Sequence, residues 1–220
     1  MRFVAVIAAG LALAGPALAQ AAEPPQSVCQ GNAEGTNGER VSVTIHLTQQ
    51  GETVTTYASW DPPLAAGSSK AAPEDPYPGL SIIYSAPRAA GLGNPDDVSV
   101  SVIALAPPGS RSHANPAKQL AGLSVEASSD GSTVQTLTLQ AQPPIADLPM
   151  IAARFASLPA PATGTKLVTL RLVDKQHRQR ALARYDLSQT ASRDALYAAA
   201  WADAEKAALH RESCELTGLE

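Results

Sequence analysis

Two cysteines, Cys29 and Cys214, stand near opposite ends of a 220-residue chain, and a bond between them would close nearly everything else into one loop. Whether they bond depends on compartment, which the first residues address. Arg2 precedes an apolar run, Phe3 to Ala14, that leads through Gly15 and Pro16 to Ala17-Leu18-Ala19 and Gln20. A basic residue, a short apolar stretch and a small-x-small site read as a signal peptide over residues 1–19, cleaved between Ala19 and Gln20. The mature chain is then expected in the periplasm or secreted, where disulfides persist. The cysteines are too far apart for a Cys-x-x-Cys redox pair, and two thiols with scattered histidines make a poor zinc site. A structural Cys29–Cys214 disulfide is the expectation.

The leader is too short to span a bilayer, and no comparable run recurs, so the mature chain carries no integral membrane segment in this reading. About 200 residues remain after cleavage, enough for one large or two small domains. The net charge of -4 argues against nucleic acid as a partner. Hydrophobic residues make up 45% of the chain but aromatics only 4%, which points to sheets packed closely through small side chains.

Residues 20–40 show no apolar period and read as an N-terminal tail containing Cys29. Gly31, Gly35 and Gly38 lack the preceding strand and following Gly-Lys-Ser/Thr of a phosphate loop, so they read as turn residues. From Val41 the pattern changes. Val41, Val43, Ile45 and Leu47 alternate with polar residues, and a partner strand from Thr53 to Trp60 sets Leu47 opposite Val54, Val43 opposite Ala58 and Val41 opposite Trp60. His46 falls on the polar face beside Thr55. Residues 61–79 read as a proline-rich loop in which Glu74, Asp75 and Tyr77 offer polar groups without convergent partners. A short strand, Ser81 to Tyr84, precedes a loop whose Asn94, Asp96 and Asp97 lack calcium-site spacing. Val98 to Ala106 is apolar on both faces towards its end and reads as a central strand. Leu120–Ala127 and Val134–Ala141 flank Asp130-Gly131 as a hairpin. The spacing of Ile151, Phe155 and Leu158, behind Asp147, predicts one short helix.

The last hairpin, Lys166–Asp174 with Arg178–Asp186, buries Val168, Leu170 and Leu172 with Ala181, Ala183 and Tyr185. Its other face carries Arg171, Arg178, Arg180 and Arg184, with Arg171 expected across from Arg180. Like charges facing each other across a sheet are destabilising. The accounts open are that the stripe binds an anion, that carboxylates such as Glu126 pair with the arginines, or that the side chains splay into water. The chain then closes with a helix over about 190–210, whose stripe of Leu196, Tyr197, Ala200, Trp201, Ala204, Ala207 and Ala208 faces the sheet, with Asp194 in its first turn.

These segments predict a mainly β fold: residues 41–220 as a single domain, an antiparallel β-sandwich or flattened barrel of about seven to nine strands with the C-terminal helix packed on it. The sequence holds no Gly-x-Ser-x-Gly, Ser-x-x-Lys or His-Glu-x-x-His motif, and its four histidines at 46, 113, 177 and 210 lie in separate elements. No metal, cofactor or catalytic residue is assigned. The resulting expectation is an exported, non-catalytic module that binds a partner protein or an anionic ligand through Arg171, Arg178, Arg180 and Arg184. The alternative is a small extracytoplasmic hydrolase with its site on the proline-rich loops.

Overall fold

A computed structural model describes residues 26–70, 77–85, 87–92, 98–105, 122–141, 153–210 and 214–217. The expected signal peptide, the Glu74-Asp75-Pro76 segment, the Asn94/Asp96/Asp97 cluster, His113 and Asp147 lie outside these residues.

The alternation in Val41–Leu47 does what a period of two requires. β2 (Arg40–Leu47) buries Val41, Val43, Ile45 and Leu47 and turns Ser42, Thr44 and His46 outward. Its hairpin partner β3 (Thr53–Asp61) sets Val43 against Ala58, Val41 against Trp60 and His46 against Thr55, as expected. At the turn end the register slips, so that Leu47 faces Thr53. Val54 becomes the extra residue of a bulge and is left 51% exposed.

The expected tail contains a strand. β1 (Gln26–Glu34) pairs antiparallel with β2 from Ser27 to Glu34, with Cys29 against Ile45 and Gly31 against Val43. Its side chains Cys29, Gly31 and Ala33 are small, so apolar bulk does not announce the period. The proline-rich loop likewise ends sooner than the proline count suggests: β5 (Tyr77–Ser85) begins at Tyr77 and takes Pro78 into the strand. The short helix expected around Phe155 is a strand, β10 (Ala153–Leu158), paired with β6 (Val98–Leu105). Three apolar residues at helical spacing were too few to outweigh a partner strand already in place.

The large sheet has the order β13-β1-β2-β3-β5-β6-β10-β9, with β9 at Gln140–Ala141 and β13 at Glu215–Thr217. β6 pairs on both sides, with β5 and β10, and is the central strand the sequence implies. The small sheet runs β4 (Ser69–Lys70), β12 (Gln179–Asp186), β11 (Leu167–Val173), β7 (Ser124–Ser129), β8 (Gln135–Thr138). Both sheets are antiparallel, and they stack as an open sandwich, not a closed barrel. The described strands number thirteen, because edge pieces of two or three residues complete both sheets.

One apolar face of the large sheet therefore receives two covers. The small sheet lies over its β5 side, where β12 and β11 contact β5, and the Tyr185 hydroxyl donates to the Pro78 carbonyl at 2.7 Å. The helix α1 (Thr190–Leu209) lies over β1 and β2. Tyr197, Ala200 and Ala204 are buried, and Leu196, Trp201, Ala207 and Ala208 pack beside them, which is the stripe read from the sequence. Arg193 lies over the Trp60 ring, 5.5 Å from its centroid. Asp194 falls beyond the first turn, which holds no acidic residue, and instead pairs with Arg193 at 2.7 Å. Cys29 and Cys214 are bonded, with Cα atoms 4.6 Å apart, one step from the β1–β13 pair Val28–Glu215. Among the described residues no helix is long and apolar enough to cross a membrane.

The helix start has an unusual partner. Gln189, at the N-cap, makes no side-chain capping bond. Glu39, 1% exposed, reaches the first turn from the turn before β2, accepting from the Ser192 hydroxyl at 2.6 Å and from the Asn37 N–H at 3.1 Å. A carboxylate at this end also suits the helix dipole. The Ser192 bond, opposed by burial and aided by backbone N–H groups, holds the Glu39 carboxyl below its ordinary value of 4.5. A lowered folded value means that the ionised group stabilises the fold above the unfolded value and that this contribution is lost as pH falls through the folded one. Glu39→Gln should thus lower unfolding free energy by about 1–2 kcal/mol at pH 7. In urea titrations the gap to wild type should narrow once the pH drops below 4.5; a gap independent of pH would remove the charge from this account.

Candidate functional site

The arginine hairpin is built on Asp174. Its carboxylate accepts from the backbone N–H of Gln176 at 2.9 Å and of Arg178 at 3.1 Å, and from Arg178 Nε at 2.9 Å. This folds residues 174–178 into a tight turn with His177 at a φ of 57°. The turn is followed by a bulge: Leu172 pairs with Ala181 and Val173 with Gln179, leaving Arg180 as the extra residue. Arg171 consequently faces Leu182 and not Arg180. The shift preserves the buried set Val168, Leu170, Leu172, Ala181, Ala183 and Tyr185, because a displacement of two residues does not exchange faces.

The arginines do not converge on one point. Arg171 donates from Nη1 to Glu126 Oε2 at 2.9 Å and from Nε to Gln179 Oε1 at 3.3 Å. Glu126 sits directly across on β7, and its other oxygen meets His177 Nδ1 at 3.0 Å. Arg178 is bound to Asp174 but leaves 74% of its side chain exposed. Arg180 is at the exposed end of the hairpin. Arg184 lies towards the other end, where its Nη1 donates to the Ala66 carbonyl at 3.0 Å. Glu126 is therefore a carboxylate that offsets the stripe at Arg171, as the pairing account required. The end of the hairpin still carries the exposed Lys175, Arg178 and Arg180 within six residues of one another, with Asp174 and Glu126 as carboxylates at the same end.

Sequence reasoning missed a second feature. A cleft of about 290 Å³ is lined by Asn37, Gly38, Asp61, Pro62, Leu64 and Ser81, with Tyr185 of the small sheet closing one side. Asp61, the first residue of the expected proline-rich loop, is instead the last residue of β3, set across from Arg40. Burial, its largest influence, pushes the Asp61 carboxyl above its ordinary value, against a hydrogen bond from Ser81 and the charge of Arg40. The only signal in the sequence was a carboxylate at the polar register of an otherwise alternating strand, directly before Pro62-Pro63.

The residues that a hydrolase would need are not gathered in these places. His46 stacks edge-on against Tyr57 with centroids 5.8 Å apart, His177 is on the hairpin, and His210 ends the helix. None of the three lines the Asp61 cleft or the hydroxyl-lined groove of about 170 Å³ between Ser128, Ser132 and Pro161. The proline-rich loop segments 71–76 and 106–121 lie outside the described residues. Among the described residues no three His, Cys, Asp or Glu side chains are grouped to hold a metal ion. No family model, curated protein or solved structure matches this chain.

Proposed function

We propose that the protein is an exported, non-catalytic β-sandwich module that binds an anionic group through the end of its β11–β12 hairpin. The observation that carries the reading is the concentration of Lys175, Arg178 and Arg180 at one turn of a chain whose net charge is -4. A surface ion pair such as Arg178–Asp174 contributes about 0–1 kcal/mol, so its guanidinium can be shared with a ligand at small cost. Arginine suits phosphate and carboxylate because its planar fork bonds two oxygens at once. The leader-like residues 1–19 and the Cys29–Cys214 bond support an extracytoplasmic address, since such bonds persist outside the reducing cytosol. An acidic partner protein would present the same carboxylates on a larger surface.

The test compares wild type with the double variant Arg178→Ser, Arg180→Ser in phosphate, citrate and an acidic oligosaccharide. An anion held at ten times its dissociation constant should raise the wild-type melting temperature by about 3–5 °C and the variant's far less. Equal responses of the two proteins to every anion would end the anion reading. Recovery of a mature chain beginning at Gln20 from the extracytoplasmic fraction checks the address.

A further inference from the structure

The Asp61 cleft has the opposite chemistry to the arginine hairpin and stands independently of it. Asp61 ends β3 at the cleft, between the edges of the two sheets, with Ser81 beside it holding its carboxyl down against the larger, upward push of burial. Its cross-strand neighbour Arg40 turns instead to Glu34, at 3.7 Å. Among the described residues no cation makes an ion pair within 4 Å of Asp61. Tyr185 is committed to the Pro78 carbonyl at 2.7 Å and does not donate to the carboxylate. Pro62, Leu80, Ile103 and Leu64, the last 52% exposed at the rim, form an apolar wall, and Asn37, Gly38 and Gly79 complete the lining.

A half-buried carboxylate beside apolar walls is disfavoured as the ion unless a cation meets it. The complement that fits both features is a cationic head on an alkyl stem. Calcium or magnesium, which take six or more oxygen ligands, and zinc, which takes four from Cys, His or carboxylates, do not suit a lining with one carboxylate and no His or Cys. Ser81 keeps acceptor capacity while its hydroxyl donates to Asp61, so an ammonium has two oxygens to bond. Its methylenes would replace water over Leu64 and Ile103, as the stems of lysine side chains do on apolar surfaces.

We propose that this cleft binds a primary alkylammonium group, either the end of a free polyamine or a lysine side chain on a partner, with the charge on Asp61 and Ser81 and the stem against Leu64 and Ile103.

Amide chemical shifts of the full protein, titrated with spermidine and with Nα-acetyl-lysine amide, distinguish the two sources. Saturable shifts at Asn37, Gly38, Gly79 and Ser81 are expected for at least one probe. Asp61→Asn, which keeps the side-chain shape, should weaken that binding about tenfold or more. Leu64→Ser should weaken butylammonium about fourfold while leaving methylammonium unchanged, since only the longer ion covers the leucine. Absence of saturable shifts in wild type overturns the proposal, as does equal affinity in Asp61→Asn or a response spread over the acidic residues generally. None of these outcomes bears on the anion test of the hairpin.

Discussion

Cys214→Ser lowers the melting temperature by about 5–15 °C, and reduction of the wild-type protein does the same. The bond spans 185 residues, and in the chain-entropy view a loop of that length constrains the unfolded chain by about 5 kcal/mol at most, with about 2–4 kcal/mol typical of measured cases. The loss has a local part as well. β13 is three residues long and pairs only with the first residues of β1, which is too little to hold an edge strand by itself. Hydrogen exchange should show protection lost first at Val28 and Glu215, with the β11–β12 hairpin unaffected. Scanning calorimetry of the single variants and of Cys29→Ser, Cys214→Ser together checks the magnitude. An unchanged melting curve would mean that α1 is held on the sheet by packing alone.

Gly31→Val destabilises the protein by about 3 kcal/mol or more, and the reason is space rather than backbone conformation. A side chain at Gly31 would point from β1 straight into α1, against the Ala200 carbonyl oxygen and the Ala204 N–H, with Ala204 Cα 3.0 Å away. These are backbone atoms of a helix, which cannot swing aside as a side-chain end can. The helix must lift away, exposing Tyr197, Ala200 and Ala204 and the β-strand face beneath them. Urea unfolding should show a lower midpoint for Gly31→Val, with a smaller loss for Gly31→Ala. If Gly31→Val matches wild type, the close approach of helix and sheet is not what the structure shows. The same contact explains the alanines of α1: Ala200 and Ala204 are 0% exposed because they meet a strand position that has no side chain.

Much of this was legible along the chain, and the rest was not, for identifiable reasons. Alternation in β2 and β12 gave their buried faces residue by residue, because an apolar side chain at every second position has one low-energy orientation on a sheet. The α1 stripe was legible for the equivalent reason at helical period. β1 was missed because its inward positions, Cys29, Gly31 and Ala33, are small; their size is set by the helix above them, a neighbour more than 160 residues later. β10 was misread as a helix because six residues carry too little pattern to compete with the pairing offered by β6.

The arginine stripe divides in the same manner. That Arg171, Arg178, Arg180 and Arg184 belong to one hairpin, and that Glu126 is within reach, could be read in sequence. That Arg180 is the residue set apart in a bulge, and that Glu126 bridges Arg171 and His177, depended on the turn geometry imposed by Asp174. The Asp61 cleft was not legible at all, since its walls come from β3, β5, β6 and β12 and exist only once two sheets stack.

By itself the sequence determined the class of fold, the buried faces of the well-patterned strands, the closing helix and the pairing of its only two cysteines. These follow from local periodicity and from the absence of any other thiol. Tertiary structure decided strand order, the two bulges, the burial of Glu39 beneath the helix start and the position of Asp61 in a cleft. Each of those depends on which distant segment lies alongside, and packing between segments far apart in the chain leaves no period for the sequence to display.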